Sequence, residues 1–280
     1  MLHVLALLAV TAAGPSAQPA TPSSSQPQPI VSTEWLQAHL TDPHVRVVYV
    51  GDRDDYDHAH IPGARLVDHM DTVGDNHRLL PPDALVRALA KVGAADEARV
   101  VLYGDSPMAT GWVYMALASV GHADDVSMLD GGIVLWQSEK RPTSTATPAP
   151  GSGPLTLRPA PDVIVDAAWV RSRLESPSVR VLDVRTTSEW KGGHLPGATL
   201  ILWQDLFADQ RTLKFKSLDE IRALLTRAGV TPHKEVVTYC AVGMRASLMY
   251  WAARATGVSA RVYVGSWQDW QRNSENPIVR

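Results

Sequence analysis

The sequence has little cysteine, no clustered histidine and almost no net charge, and each shortage excludes a class of protein. Its 280 residues contain one cysteine, Cys240, so an intramolecular disulfide and a zinc site built on several cysteines are both excluded. The ten histidines are scattered without a helical pair, and the Asp-His-Ala-His stretch at residues 57–60 is better explained by a polar loop than by a weak metal site. The formal net charge of -3 gives no indication of nucleic-acid binding. We therefore expect no metal, nucleotide or flavin cofactor.

The N-terminus lacks an apolar run long enough to cross a membrane. Residues 2–13 are apolar except for His3 and Thr11, whereas a membrane span needs about 20 such residues. The run has the length of a signal-peptide core, and a stretch rich in Pro, Ser and Gln follows it. We predict a signal peptide at residues 1–17, a disordered linker at 18–29, and export to the periplasm or the medium. No Lys or Arg precedes the run and no ideal Ala-x-Ala cleavage site follows it, so a wrongly assigned start or an uncleaved anchor is the alternative.

The chain contains an internal repeat. Four landmarks of the first half recur in the second half at an offset of about 134 residues, or about 136 near the middle of the unit. Chance does not keep such a register across a whole domain. We therefore predict two copies of one unit, at 30–142 and 163–280, joined by a connector at 143–162 that is rich in Pro, Thr and Ala. The paired segments are 31–36 with 165–170, 60–64 with 194–198, 101–103 with 237–239, and 131–136 with 265–270.

Each copy alternates short apolar runs with helical segments. In the second copy, Ser217 and Glu220 form a capping box that predicts the start of a helix, and Gly229 predicts its end. This alternation predicts an α/β fold in which each domain is a parallel β-sheet with helices on both faces. The buried strands predicted for the second copy are 179–184, 236–239 and 260–264.

Cys240 and the segment 183–185 both lie at the end of a predicted strand. Ligands of parallel sheets bind at the carboxyl ends of the strands, so we expect both to face one pocket. After Cys240 come a short loop with one glycine and one arginine, and then a helix-forming stretch. Backbone N–H groups and the helix dipole at such a loop favour an anion, and therefore the nucleophilic thiolate. A small buried cysteine without chemistry is the alternative.

The motifs of the second copy, taken in order, resemble those of the rhodanese family. Residues 183–198, with Asp-Val-Arg, Glu-Trp and Gly-His-Leu-Pro-Gly-Ala, are similar to the first rhodanese signature, and residues 263–270 are similar to the C-terminal one. The loop Cys-Ala-Val-Gly-Met-Arg at 240–245 is similar to the active loop of the sulfurtransferases. The resemblance covers essentially everything after residue 30. It implies a tandem-domain rhodanese fold, an inactive first copy, a catalytic second copy, and transfer of sulfane sulfur through a cysteine persulfide.

The first copy keeps the scaffold residues of the repeat and lacks the reactive ones. The positions that differ are the expected working set, so we place the chemistry in the second copy alone. The pairs, first copy then second, are Gly104 and Cys240, Ala109 and Arg245, Gly51 and Arg185, and Tyr49 and Asp183.

Cys240 is the predicted catalytic nucleophile. The resemblance implies that it attacks the outer sulfur of a donor such as thiosulfate, releases sulfite and holds the sulfur as a persulfide, which cyanide or a thiol then removes. We expect backbone N–H groups of the following loop to bind the terminal sulfur. The loop positions expected to bind substrate are Ala241, Val242, Gly243 and Met244.

Two arginines are expected to bind the anionic donor, and each has an alternative role. Arg245 contacts the donor or braces the loop against a carboxylate such as Glu189. Arg185 binds the oxyanion end of the donor or forms a buried ion pair with Asp183.

The remaining candidates are expected to support the site. Asp183, Glu189 and Trp267 are assigned to this role, and Trp270 is assigned to the core. His194 is expected to be scaffold rather than a base, because a histidine survives at the equivalent position of the copy without a thiol.

The loop also bears on the substrate. Four residues separate Cys240 from Arg245, whereas cysteine phosphatases on related loops use five to cradle a tetrahedral phosphate, so the loop suits a single sulfur atom. We expect a thiosulfate sulfurtransferase. In this family, thiosulfate enzymes tend to carry basic residues within the loop, and mercaptopyruvate enzymes tend to have the loop Cys-Gly-Ser-Gly-Val-Thr. This loop matches neither pattern fully, so a 3-mercaptopyruvate sulfurtransferase and a persulfide carrier or binding module without rapid turnover are the alternatives. The expected partners are a small anionic sulfur donor and a thiophilic acceptor, and we expect a monomer without stable membrane insertion.

Overall fold

The structure is a computed structural model that describes residues 28–91, 93–149, 153–160 and 162–280. The predicted signal peptide and most of the predicted linker at 18–29 lie outside the described residues. Within the described part, no helix combines the length and apolar character needed to cross a bilayer.

The first domain is built on a five-stranded parallel sheet with the strand order β1-β5-β4-β2-β3. Its strands are β1 (Ile30–Val31), β2 (Val45–Val50), β3 (Arg65–Val67), β4 (Arg99–Tyr103) and β5 (Val126–Leu129). Its helices are α1 (Thr33–Ala38), α2 (Arg53–His58), α3 (Pro82–Lys91), α4 (Pro107–Ser119) and α5 (Gly132–Ser138), with 3₁₀ turns at His69–Thr72, Asp75–His77 and Ala123–Asp125.

The second domain repeats this topology, with the order β6-β12-β11-β7-β8, and adds the antiparallel ribbon β9–β10. Its strands are β6 (Ile164–Val165), β7 (Val179–Asp183), β8 (Thr199–Leu200), β9 (Phe207–Asp209), β10 (Lys214–Phe215), β11 (Glu235–Tyr239) and β12 (Ala260–Tyr263). Its helices are α6 (Ala167–Arg171), α7 (Thr187–Lys191), α8 (Leu218–Arg227), α9 (Met244–Ala255) and α10 (Ser266–Trp270), with a 3₁₀ turn at Trp203–Leu206.

The predicted α/β fold and the predicted elements are confirmed. The three apolar runs of the second copy form β7, β11 and β12, and the capping box at Ser217 and Glu220 begins α8. Side chains alternate between the two faces of each sheet. In β2, Val48 and Val50 enter one apolar cluster while Val47 enters another. Both faces are therefore covered, as a buried parallel sheet requires.

The two domains share one core through α4 and α9. Both helices are buried around most of their circumference, and one apolar cluster combines residues of the two domains. A Cβ on Gly111 of α4 would lie 2.7 Å from the Cα atom of Leu248, so only glycine permits this close approach. The domains are thus held in a fixed relation by their central helices.

The described part of the predicted connector at 143–162 packs against the first domain. Ser144 exchanges two backbone hydrogen bonds with His60, and Leu155 is buried. Arg158 forms an ion pair with Asp125 at 2.6 Å. The connector therefore fastens onto the first domain before the chain enters the second.

Candidate active site

The cysteine lies where the central strand of the second sheet gives way to a helix. Cys240 directly follows β11, and α9 begins at Met244. The backbone N–H of Cys240 donates to the Ser266 hydroxyl at 3.1 Å, and the N–H of Trp267 donates to the Cys240 carbonyl at 2.9 Å. The thiol itself is 0% exposed. The loop is thus fixed against the start of α10 with its sulfur turned inward.

Gly243 brings a backbone donor to the sulfur. Its N–H donates to the Cys240 Sγ atom with 3.1 Å between nitrogen and sulfur. Gly243 has a φ of 94°, in the left-handed region that glycine adopts without steric cost. A Cβ at this position would also lie 2.9 Å from the carbonyl oxygen of Val264 and 3.3 Å from the ring of Trp112. The predicted contact between this loop position and the sulfur therefore depends on a glycine.

Further N–H groups in the same segment are free to bind an anion. The first turn of a helix leaves its N–H groups without intrahelical acceptors, and the dipole of the 12-residue α9 favours negative charge at this end. Within the residues that the structure describes, no backbone or side-chain acceptor contacts the following N–H groups. They belong to Ala241, Val242, Met244, Arg245 and Ala246.

Arg245 is braced by a carboxylate beside the sulfur. Its guanidinium makes two hydrogen bonds of 2.8 Å to the carboxylate of Glu189. Glu189 in turn closes the capping box at the start of α7 by accepting the N–H of Thr186 at 2.9 Å. The hydrogen bonds from Arg245, followed by those from Thr186, lower the pKa of the Glu189 carboxyl to about 2. Glu189 raises the pKa of Arg245, and negative charge on Cys240 acts in the same direction.

The bracing that we gave as the alternative role of Arg245 is therefore the arrangement present. The side chain of Arg245 remains 17% exposed. The charged side chain thus lies next to the sulfur and stays accessible to solvent. Its contact with a donor remains a prediction.

Arg185 lies in the buried ion pair that we gave as its alternative role. Its Nε atom is 2.9 Å from Oδ1 of Asp183, and its Nη2 atom is 2.6 Å from Oδ2 of Asp183 and 2.7 Å from the carbonyl oxygen of Gly193. The residue is 1% exposed. Tyr239 also donates its hydroxyl to Asp183. A contact between Arg185 and a donor stays a prediction, and it requires this pair to open toward the pocket.

Trp267 covers the arginine of this ion pair. The Arg185 guanidinium lies 4.6 Å from the centre of a Trp267 ring, a distance at which a cation and an aromatic face attract. A Cβ on Gly193 would lie 3.0 Å from the same indole. The structure thus places Trp267 in contact with a predicted site residue, while Trp270 is fully buried in the core.

The two equivalent histidines have equivalent surroundings. The His194 ring stacks on Trp190 with 3.5 Å between ring centres, and the His60 ring stacks on Tyr56 with 3.9 Å. Each histidine also contacts the backbone carbonyl of its stacking partner through Nδ1. These contacts fit the scaffold role predicted for His194.

The loop of the first domain has no room for a catalytic side chain. A Cβ on Gly104 would lie 2.1 Å from the carbonyl oxygen of Val50. Three residues separate β4 from α4, whereas four separate β11 from α9. The missing residue corrects the predicted alignment, because Met108, and not Ala109, takes the second helical position that Arg245 occupies in α9. Because methionine carries no charge, the first copy still lacks the cation that Arg245 provides in the second.

Sequence reasoning missed the role of Ser266. It accepts the Cys240 N–H and donates its own hydroxyl to the carbonyl of Tyr263 at 2.8 Å. The signal was available, since Ser266 lies within the C-terminal motif. Its φ of 54°, uncommon for a residue other than glycine, accompanies this double contact.

Comparison with known proteins places the chain in a family. The model of the rhodanese-like domain matches residues 32–139 and 166–273. The thiosulfate sulfurtransferase of Azotobacter vinelandii is 32% identical over 264 residues, which cover 89% of this chain and 96% of that protein. The sulfur carrier protein TtuD of Thermus thermophilus is 29% identical over 286 residues, which cover 91% of this chain and 98% of that protein.

A solved structure extends the comparison to the fold. SseA of Escherichia coli, described as a 3-mercaptopyruvate sulfotransferase, matches with a TM-score of 0.75 and 21% identity, covering 86% of this chain and 99% of the other. The match of the domain model to two segments of the chain confirms the predicted family and the predicted repeat. The chain is a member of the rhodanese family and consists of two rhodanese-like domains in tandem.

Proposed function

We propose that this protein is a thiosulfate sulfurtransferase that carries sulfane sulfur on Cys240 and passes it to cyanide or a thiol. The observation that carries the proposal is the surroundings of the sulfur. One N–H group already contacts it, further N–H groups nearby have no acceptor within the described residues, and the braced cation of Arg245 lies alongside. Such an arrangement stabilises both a thiolate and the anionic end of a persulfide.

The reaction consists of two displacements at sulfur. The Cys240 thiolate attacks the outer sulfur of thiosulfate, the S–S bond of the donor breaks, and sulfite leaves with the electron pair. Cyanide or a thiolate then attacks the terminal sulfur of the persulfide, and the electron pair of that S–S bond returns to the Cys240 Sγ atom. Charge balances in each step, and no external oxidant or reductant is needed.

The loop and its neighbours have separate roles in this scheme. The N–H groups of Ala241, Val242, Gly243 and Met244 hold the terminal sulfur, and Arg245 attracts the dianionic donor. The ion pair of Arg185 and Asp183 fixes the neighbouring strand end, with Trp267 packed over it. Asp183, Glu189 and Trp267 support the site through the geometry of the loop. Arg185 binds the oxyanion end of the donor when its ion pair opens toward the pocket.

The test is the formation of thiocyanate from thiosulfate and cyanide. We expect multiple turnovers by the natural protein and none by Cys240→Ser, which removes the thiolate and keeps the loop. Circular dichroism of the variant controls for folding. Full thiocyanate production by Cys240→Ser would overturn the assignment of the nucleophile.

A sulfur carrier is the second candidate function, and the name of one relative favours it. TtuD, which is 29% identical to this chain, is named a sulfur carrier protein. A carrier loads one sulfur atom per chain and shows no rapid turnover with cyanide. A comparison of kcat/KM for thiosulfate and 3-mercaptopyruvate separates the two donor classes in the same assay.

We also propose that the protein is exported and monomeric. The apolar run at residues 2–13 and the Pro-, Ser- and Gln-rich stretch that follows it support export. N-terminal sequencing of protein from the periplasm or the medium tests export, and a protein found only in the cytoplasm with its first residues intact contradicts it. Light scattering on a sizing column tests the monomer.

A further inference from the structure

A groove between the two domains reaches the active loop. It consists of two adjoining cavities of about 310 and 500 Å³, which share Arg78 of the first domain and a wall of the second domain that includes Val264 and Asp269. The smaller cavity is also lined by Val242 of the active loop. We call the two together the interdomain groove.

The groove is too large for the proposed donor alone. Thiosulfate has five heavy atoms, whereas pockets of about 300–1,000 Å³ hold ligands of ordinary drug size. The wall next to the loop is firmly attached to it, because the N–H of Gln268 donates to the Ala241 carbonyl at 3.1 Å. A larger molecule in the groove would therefore lie directly beside the sulfur-carrying segment.

The end of the groove next to the loop is basic. It is lined by Arg78, Arg272 and His77, and no ion pair involves either arginine within the described residues. The carboxylate at this end, Asp269, accepts the hydroxyl of Tyr263 at 2.8 Å. Two exposed arginines thus line the cavity next to the loop, which favours a ligand that carries carboxylates.

Arg78 is held in place by the first domain. Its carbonyl accepts the N–H of Gly74 at 2.7 Å, and its own N–H donates to the Asp75 carbonyl at 3.2 Å. The next residue, Leu79, pairs with Val73 in an isolated antiparallel bridge. The domain without a thiol therefore presents a cation to the active loop of its neighbour from a fixed backbone.

We propose that the interdomain groove binds the sulfur acceptor, and that this acceptor is a thiol of peptide size that bears carboxylates. Arg78 and Arg272 bind its carboxylates, so the inactive domain contributes to acceptor selection. The inference rests on the proposed sulfur transfer through Cys240. In the transfer step the acceptor thiolate attacks the terminal persulfide sulfur and a new S–S bond forms on the acceptor. The S–S bond to Cys240 breaks, and its electron pair returns to the Sγ atom as the thiolate.

The test compares acceptors that differ in charge and size. Steady-state kinetics with thiosulfate as donor use glutathione and mercaptosuccinate as carboxylate thiols, 2-mercaptoethanol as a neutral thiol, and cyanide as the smallest acceptor. For Arg78→Gln we expect kcat/KM for the carboxylate thiols to fall about fivefold through KM, the upper end of what one solvent-accessible ion pair contributes. Values for 2-mercaptoethanol and cyanide stay within about twofold. The preference for carboxylate thiols also weakens at high salt.

Arg211→Gln is the matched control. Arg211 lies between β9 and β10, its side chain is 94% exposed, and its removal changes the net charge by the same amount. We expect this variant to keep the kcat/KM values of the natural protein for all four acceptors. An equal loss for charged and neutral thiols in Arg78→Gln, or an equal loss in Arg211→Gln, overturns the proposal.

A binding measurement keeps the inference separate from the proposed function. Calorimetry with S-methylglutathione, which cannot accept sulfur, measures occupancy of the groove without turnover. We expect binding to the natural protein and about fivefold weaker binding to Arg78→Gln. Absence of thiocyanate formation with binding intact contradicts the proposed sulfur transfer alone. Absence of binding, with thiocyanate formation intact, contradicts the acceptor site alone.

Discussion

Replacement of Gly243 by alanine tests how closely the active loop is built around its sulfur. The new methyl group meets two obstacles. The φ of 94° is costly for any residue with a Cβ, by about 1–3 kcal/mol. In addition, the Cβ would lie 2.9 Å from the carbonyl oxygen of Val264, which is backbone and yields only if β12 or the loop shifts.

Gly257 provides a matched control for the backbone cost. It has a φ of 82°, and a Cβ there would meet nothing within 4 Å. We expect Gly257→Ala to lose about 1 kcal/mol of unfolding free energy and to keep its activity. Gly243→Ala combines the backbone cost with the clash, so we expect a loss of about 2–4 kcal/mol.

The activity of Gly243→Ala reports on the hydrogen bond to the sulfur. Relief of the clash moves the N–H away from the Cys240 Sγ atom, and loss of one donor to a developing anion lowers kcat by about 10²–10³. On the same preparation, urea unfolding measures the loss of unfolding free energy and thiocyanate formation measures the loss of kcat. The reasoning is refuted if Gly243→Ala is as stable and as active as Gly257→Ala.

Three further predictions concern the ion pair, the inactive domain and oxidation. The pKa of the Glu189 carboxyl is lowered on folding to about 2, so its stabilising contribution is complete above the unfolded value of about 4.3 and is lost as the pH falls toward 2. The stability difference between the natural protein and Glu189→Gln should therefore shrink in acid, and a difference independent of pH contradicts the ion pair with Arg245. Gly104→Cys in a Cys240→Ser background should lower the unfolding temperature and restore no thiocyanate formation, because the Cβ would lie 2.1 Å from a backbone oxygen; measurable turnover would show that the first loop can open. Thiosulfate should slow inactivation by peroxide because a loaded sulfur covers the thiolate, and equal rates with and without it contradict that protection.

The fold could be predicted from the sequence because its signals are local and occur twice. The apolar runs that become β7 and β11 have the length of buried strands, and the capping box at Ser217 fixes the start of α8 through contacts within one turn. The repeat then predicted that the two domains share one topology. The strand order of the sheets and the antiparallel ribbon β9–β10 were not predicted. The one-residue shortening before α4 also escaped prediction, because α4 and α9 are apolar on most sides and their sequences do not fix the alignment of one helix with the other.

The site could be predicted at the level of residue type and less well at the level of contacts. Cys240 and Gly243 are constrained by their own loop, so their place follows from the motif. The role of Arg185 depends on whether the side chain turns toward Asp183 or toward the pocket. Its hydrogen bonds to Asp183 and to the Gly193 carbonyl, with Trp267 packed over it, hold it in the first orientation, and no local sequence pattern describes these contacts. The interdomain groove depends on the docking of two domains, which no local pattern describes.

The mass of the intact protein after treatment with thiosulfate tests the central claim most directly. We predict that the natural protein gains the mass of one sulfur atom, that cyanide removes it as thiocyanate, and that Cys240→Ser gains nothing. A gain of sulfur by Cys240→Ser, or no gain by the natural protein, would contradict sulfur transfer through this cysteine.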